Sequence, residues 1–228
     1  MRSTVGTPIV IAIDGPSGSG KSSTSRGVAT ALGYDYLDTG AMYRAMTWAL
    51  LQRGVDVADA AKVAEEATSV SIVSGVDPQD PTITADGTDV SAPIRTDEVT
   101  TAVSPVSAVA RVRELLVQAQ RQTIGASTSA GRGIVVEGRD IGTVVAPDAP
   151  LKVYLVADPA ARAARRAAEL GGVDATATQE SLARRDQIDS TRAASPLTQA
   201  DDAVIVDGTH LTLDEVIEHI VGLARDAS

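Results

Sequence analysis

Cysteine is absent from the 228 residues, as is phenylalanine; tryptophan occurs once and lysine three times. Without cysteine there is no disulfide framework, no Cys-bearing zinc site and no thiol nucleophile. Packing alone must hold the core, and a chain of this length has enough surface to bury. With aromatics at 2% and 37 alanines, that core is built from Val, Ile, Leu and Ala. No apolar run approaches the roughly eighteen residues of a membrane span, and the short polar stretch Met1 to Pro8 does not read as a signal peptide. A soluble, cytoplasmic protein is expected. It is expected to be a monomer, since nothing suggests a large exposed apolar face. The net charge of −10 and a sequence pI near 4.6 argue against a nucleic-acid partner, and the scarcity of aromatics removes stacking platforms for single strands.

What is present alternates strand and helix. Ile9 to Ile13 is a short branched apolar run, the pattern of a buried parallel strand. A Gly-rich turn follows, and Lys21 to Leu32 is helical, stopped by Gly33. Helices are also read at Gly40 to Arg53 and Ala58 to Ala67. Ser69 to Ser74, Pro81 to Ala85 and Thr88 to Ser91 are short alternating runs punctuated by Asp-Pro and Asp-Gly, which predicts a three-stranded antiparallel sheet. Helical patterning resumes near Thr96 and runs on to Ile124. Ile134 to Val136, Leu151 to Val156 and Ala203 to Val206 are further strand candidates. Asp158-Pro159 opens the first of two Arg-rich helices, near Ala160 to Leu170 and Gln179 to Ser190, and Thr212-x-x-Glu215 is a capping box. The expected fold class is α/β: a parallel sheet flanked by helices, with a small antiparallel insertion and a helical lid. The core is expected at 1–67 and 97–228, the lid at about 158–178 and the insertion at 68–96.

Gly15-Pro16-Ser17-Gly18-Ser19-Gly20-Lys21-Ser22 satisfies G-x-x-x-x-G-K-[ST] between a strand and a helix. Glycines let backbone N–H groups converge on phosphates, and the helix N-terminus adds positive potential. Lys21 reaches the outer phosphates, the Ser22 hydroxyl suits Mg²⁺, and Ser23 completes the ATP-binding segment. No N-K-x-D guanine-reading motif occurs, which excludes the usual GTPase. The compact chain leaves no room for a motor ATPase, so a small-molecule kinase remains, with ATP as co-substrate and Mg²⁺ as cofactor. A non-catalytic nucleotide sensor is the rival of another class.

The second substrate is read from arginines at strand ends. Arg44 lies in Asp38-Thr39-Gly40-Ala41-Met42-Tyr43-Arg44, and Arg139 lies in Glu137-Gly138-Arg139-Asp140 after a strand. Ligands in open α/β sheets sit beyond the carboxyl ends of strands, so a basic pocket in an acidic protein suits an anionic acceptor. Glu137 either orients a metal-bound water or pairs with an arginine, and it is left out of the site. Tyr43 reads as a base-stacking or a core residue, Trp48 as core, and His210 and His219 lie away from every motif.

These strings resemble the bacterial-type cytidylate kinases over nearly the whole chain. The resemblance rests on the P-loop, D-T-G-A-M-Y-R, the inserted sheet, I-R-T at Ile94, R-V-R-E at Arg111, G-R-D-I-G-T-V-V from Gly138 and R-x-x-x-D-x-x-R from Arg185 to Arg192. It implies that Arg44, Arg139 and Arg192 hold the phosphate of CMP, that Asp140, Arg113 and Thr39 read cytosine, and that Ser104, Arg185 and Asp189 contact the ribose. Lys21 with the lid arginines Arg162 and Arg166 would serve the transfer, with Arg165 in the same flank. A carboxylate accepts from the cytosine N4 amino group, whereas uracil would set O4 against Asp140. CMP over UMP is therefore expected, with dCMP accepted as well; a kinase for UMP or AMP is the rival within the class.

Overall fold

A computed structural model describes residues 7–169 and 174–228. Five parallel strands form the central sheet: β1 (Val10–Asp14), β2 (Asp35–Asp38), β6 (Ile134–Gly138), β7 (Leu151–Val156) and β8 (Val204–Asp207), in the order β2-β6-β1-β7-β8. A second, antiparallel sheet joins β3 (Ile72–Ser74), β4 (Ile83–Ala85) and β5 (Thr88–Asp89). This is the architecture expected from the strand–helix alternation.

Period-2 alternation in β1 builds the two halves of the core. Ile11 and Ile13 point into a cluster with Val28, Tyr36, Leu155 and Ile220, beneath α1 (Lys21–Leu32) and α8 (Leu213–Asp226). Ala12 points the other way, where its small side chain lets Met42, Met46 and Leu50 of α2 (Thr39–Gln52) pack close to Leu37 and Val136. Both faces are thus covered, which a parallel sheet requires. No helix among the described residues is long and apolar enough to cross a membrane.

Local signals placed several boundaries well. α1 spans Lys21–Leu32 and ends at Gly33, whose φ of 67° is left-handed. The Thr212/Glu215 capping box is formed in both directions, and Asp158 accepts from the Ala160 N–H at 2.8 Å, ahead of α6 (Pro159–Glu169). α3 (Ala60–Ala67) is N-capped by Asp59.

Other boundaries differ. The helix expected from Thr96 to Ile124 is two helices, α4 (Asp97–Ala108) and α5 (Ala110–Ser129), because Val109 is extended at φ −72°, ψ 120°. α7 (Ala175–Thr191) starts earlier than Gln179, since Asp174 caps it by accepting from the Thr176 N–H at 2.8 Å. The Gly171-Gly172 part of the expected lid and the stretch 1–6 fall outside the described residues. Two elements had no clear signal in the sequence: β2, and a π-helical turn at Ile141–Val145 directly after Asp140.

Candidate active site

β1 and β6 are neighbours whose outgoing connections run toward opposite edges of the sheet, and their carboxyl ends open the crevice that α/β folds use for ligands. Gly15 turns the chain out of β1 at φ 151°; a Cβ there would lie 2.1 Å from the Leu155 carbonyl oxygen. Only glycine lets the loop start this close to β7. Lys21 follows at the head of α1, and its buried ammonium donates to the Pro16 carbonyl at 2.7 Å and to Ser19 Oγ at 3.4 Å. Burial, then the nearby Arg139 charge, push Lys21 down to about 7. That is the state of a cation waiting for an anion.

β6 supplies the second wall. Buried Glu137 accepts from the Ser22 hydroxyl at 3.1 Å and from the Tyr36 hydroxyl. Burial first, and the Asp38 charge second, push its carboxyl up to about 7. Among the described residues Glu137 is thus a partner of a P-loop hydroxyl and of Tyr36, and no arginine pairs with it. Ser22 and Ser23 are exposed at the start of α1. The Thr39 hydroxyl donates to the Glu137 carbonyl at 2.7 Å, so β6 and α2 are tied at the site's floor.

Beyond β6 the acceptor-side residues converge. Buried Asp140 accepts from Arg113 Nη2 at 2.5 Å and pairs with Arg192 Nη2 at 3.5 Å. Asp189 pairs with Arg192 Nη1 at 3.6 Å and accepts from Arg139 Nε at 3.0 Å. Arg139 also donates to the Gly15 carbonyl at 3.0 Å and to Ser17 Oγ at 2.7 Å, which binds this network to the P-loop. The Arg113 guanidinium lies 5.2 Å from the Tyr43 ring centroid. Tyr43 therefore supports an arginine from below as part of the core.

Arg44 donates to the Ile94 carbonyl at 3.2 Å and to Thr100 Oγ1 at 2.9 Å. It is pushed down to about 9 by burial and then by Arg185 and Arg166, while Arg185 is pushed down to about 10 by burial and then by Arg139. Ser104 is buried on α4. The Nε atoms of Arg113, Arg162 and Arg185 are buried without a hydrogen-bond partner among the described residues. Crowded guanidinium groups give this side of the crevice a positive charge that suits an anion.

The lid-flank arginines separate by position. Arg162 Nη1 donates to the Ser17 carbonyl at 2.9 Å and to Asp186. Arg165 donates to the Gly208 carbonyl past β8, and Arg166 is close enough to Arg44 and Arg185 to lower both. His210 and His219 are exposed.

Three residues that sequence reasoning missed belong to this frame. Asp14, at the end of β1, accepts from the Ile141 and Gly142 N–H groups at 2.9 and 2.8 Å. Arg121 closes the other end of the same π turn, donating to the Val144 and Val145 carbonyls at 2.6 and 3.1 Å. Asp186 accepts from the Ser17 N–H at 2.8 Å. Asp14 carries a testable sign. Burial, outweighing its two amide bonds, raises its carboxyl from 3.8 to about 6. A raised folded-state value means that its contribution is present below pH 3.8 and lost as pH rises through about 6. By linkage the loss is about 3 kcal/mol. Asp14→Asn is expected to flatten the melting temperature against pH across that window, read by thermal melts; an unchanged slope would rule out Asp14 as its source.

A phosphate-cradling loop ahead of a helix, a buried lysine and a wall of arginines on a doubly covered parallel sheet define a P-loop phosphotransferase. Comparison with known proteins narrows the class. The family model described as cytidylate kinase matches residues 11–226. The cytidylate kinase of Streptomyces avermitilis is 57% identical over 218 residues, covering 96% of this chain and 93% of that one. The cytidylate kinase of Mycobacterium leprae (strain Br4923) is 51% identical over 227 residues, covering 97% and 98%. Among solved structures, a sugar kinase from Janibacter sp. HTCC2649 superposes with a TM-score of 0.50 at 16% identity, covering 97% of this chain and 98% of that one, a likeness of fold alone. The chain belongs to the cytidylate kinase family, and it is an enzyme.

Proposed function

We propose that this protein transfers the γ-phosphoryl group of ATP to CMP, and to dCMP as well, forming CDP or dCDP and ADP. The observation that carries the reading is Asp140, a buried carboxylate that accepts from Arg113 beyond the end of β6 and is linked by the ion pairs of Arg192 and Asp189 to Arg139 and so to the P-loop. Fixed acceptor oxygens match the cytosine N4 amino group; uracil would face them with O4, and two buried acceptors set against each other cost about 1–3 kcal/mol.

The other roles are those that the resemblance to the cytidylate kinases implies. The P-loop amides and Lys21 receive the triphosphate. Arg44, Arg139 and Arg192 receive the acceptor phosphate, with Arg166 beside them. Thr39 and Arg113 support the base, while Ser104, Arg185 and Asp189 receive the sugar. Asp189 already pairs with Arg139 and Arg192, so a deoxyribose leaves no buried carboxylate unpaired. Arg162, held at Ser17, serves the moving phosphoryl group. CMP phosphate is itself an anionic nucleophile, so positioning and charge neutralisation suffice without a general base.

Ser22 Oγ and Glu137 Oε2, 3.1 Å apart, are the hard oxygen atoms that suit Mg²⁺, and these two residues would hold it. When bound, Mg²⁺ neutralises charge on the phosphate oxygens. Residues 68–96 would form a wall over the nucleotide and 158–178 a lid that excludes water. The protein would act as a cytoplasmic monomer.

The test is ADP release from ATP and Mg²⁺ with CMP, dCMP, UMP, AMP or no acceptor at matched concentrations. The expected result is turnover with CMP and dCMP about 5- to 150-fold above UMP, the range that about 1–3 kcal/mol gives. Equal rates with CMP and UMP would remove the base-reading role of Asp140. ATP binding without turnover on any monophosphate would favour a sensor.

A further inference from the structure

Ser17, at the tip of the P-loop, is 2% exposed and has all three of its polar groups engaged. Its hydroxyl accepts from Arg139, its carbonyl accepts from Arg162, and its N–H donates to Asp186 Oδ1. Asp186 Oδ2 accepts from the same Arg162 Nη1 that reaches the Ser17 carbonyl. One residue of the P-loop, one arginine of α6 and one carboxylate of α7 thus close a ring. The packing is tight enough that a Cβ on neighbouring Gly18 would lie 3.1 Å from Leu182 Cδ1 and 3.2 Å from the Arg162 carbonyl.

We propose that Asp186 is a positioning residue for phosphoryl transfer: it holds Arg162 on the P-loop so that the guanidinium meets the moving phosphoryl group without reorganising. The inference rests on the function proposed above. A long arginine side chain has many rotamers to lose, and the Ser17 carbonyl alone gives Arg162 Nη1 a single acceptor. Asp186 adds a charged one, itself anchored by the Ser17 N–H, so the arginine follows the P-loop and not the rest of α6. The Arg162 Nε–H is buried without a hydrogen-bond partner among the described residues, so the ion pair to Asp186 and the bond to Ser17 are the polar contacts that fix this guanidinium. A preorganised donor of this kind acts on the transition state more than on bound ATP. Nothing in the sequence separates Asp186 from the other carboxylates of α7; its role appears only once α7 lies against the P-loop.

The experiment is a double-mutant cycle of Asp186→Ala and Arg162→Ala, read as kcat with saturating CMP and as the dissociation constant for ATP. Arg162→Ala is expected to lower kcat about 10³-fold, the scale of a transition-state arginine, and Asp186→Ala about 10- to 100-fold, the scale of a misplaced group. If Asp186 acts through Arg162, the double variant falls no lower than Arg162→Ala alone, within about threefold, and ATP affinity changes by less than about threefold. Asp186→Asn, which keeps an acceptor for the Ser17 N–H, should recover part of the loss and serves in the cycle if the alanine variant fails to fold. Additive losses, or an Asp186→Ala enzyme within about threefold of wild type, would overturn the assignment. Absence of CMP turnover in the wild type would instead sink the proposed function and take this inference with it.

Discussion

Lys21→Met is expected to lower CMP-dependent ADP release by about 10³-fold or more while leaving the melting temperature within about 4 °C of wild type. The two readouts diverge because of what surrounds the ammonium. Lys21 is 7% exposed, and burial beside Arg139 pushes it down to about 7, so the free protein holds this charge against a desolvation cost. Methionine keeps the stem and its packing and removes the charge. The Pro16 carbonyl and Ser19 hydroxyl lose a donor, which offsets the relief of desolvation. Activity has no such compensation, since methionine brings no cation to the phosphates that the P-loop is proposed to hold. A variant that keeps more than about a tenth of wild-type kcat would remove Lys21 from the transfer step, against the large loss expected of a phosphate-binding lysine. A large fall in melting temperature would make it structural.

Asp140→Asn should collapse the preference for CMP over UMP to within about threefold and destabilise the protein by about 3 kcal/mol. Asp140 presents one oxygen to Arg113 at 2.5 Å and the other to Arg192 at 3.5 Å. An asparagine must turn its NH₂ toward one guanidinium, and the longer Arg192 contact is the side with room. There the amide becomes a donor in place of an acceptor, and uracil O4 no longer meets a carboxylate. Both arginines are buried, and losing their shared counter-charge accounts for the lower stability. Parallel kcat/KM measurements with the two nucleotides, together with a urea melt, decide the matter. A variant that still rejects UMP as the wild type does would move base reading elsewhere.

Much of the architecture was legible because its signals are local. The strand–glycine–lysine order fixed the P-loop, and the limits of α1 agree residue for residue, since Gly33 stops that helix by its own conformation. The antiparallel insertion was announced by Asp-Pro and Asp-Gly punctuation. β2 was harder: its four residues, Asp35–Asp38, begin and end with a charge and lack an apolar run. The break at Val109 was hidden because a valine between two helical stretches continues the apolar pattern. The arginines at strand ends could be picked out because the P-loop and the alternation of elements say where strand ends lie. Their partners could not. Asp14 meets Ile141 and Gly142 across 127 and 128 residues, and Tyr36 meets Glu137 across 101. A lone carboxylate carries no mark of what it will face at such separation.

The position of β1 also governs when the site can exist. β1 bonds on its two sides to β6 and β7, which lie at residues 134–156 of 228. During synthesis the first strand therefore waits, without any neighbour in its sheet, until β6 at residues 134–138 has been made. The glycine loop that follows β1 is held by Arg139, Arg162 and Asp186, all encoded later still than the start of β6. Long sequence separation of this kind slows folding, because chain closure must precede the contacts that reward it. Nucleotide binding should thus appear late on the ribosome, as one event in which β6 and β7 enclose a strand made long before them.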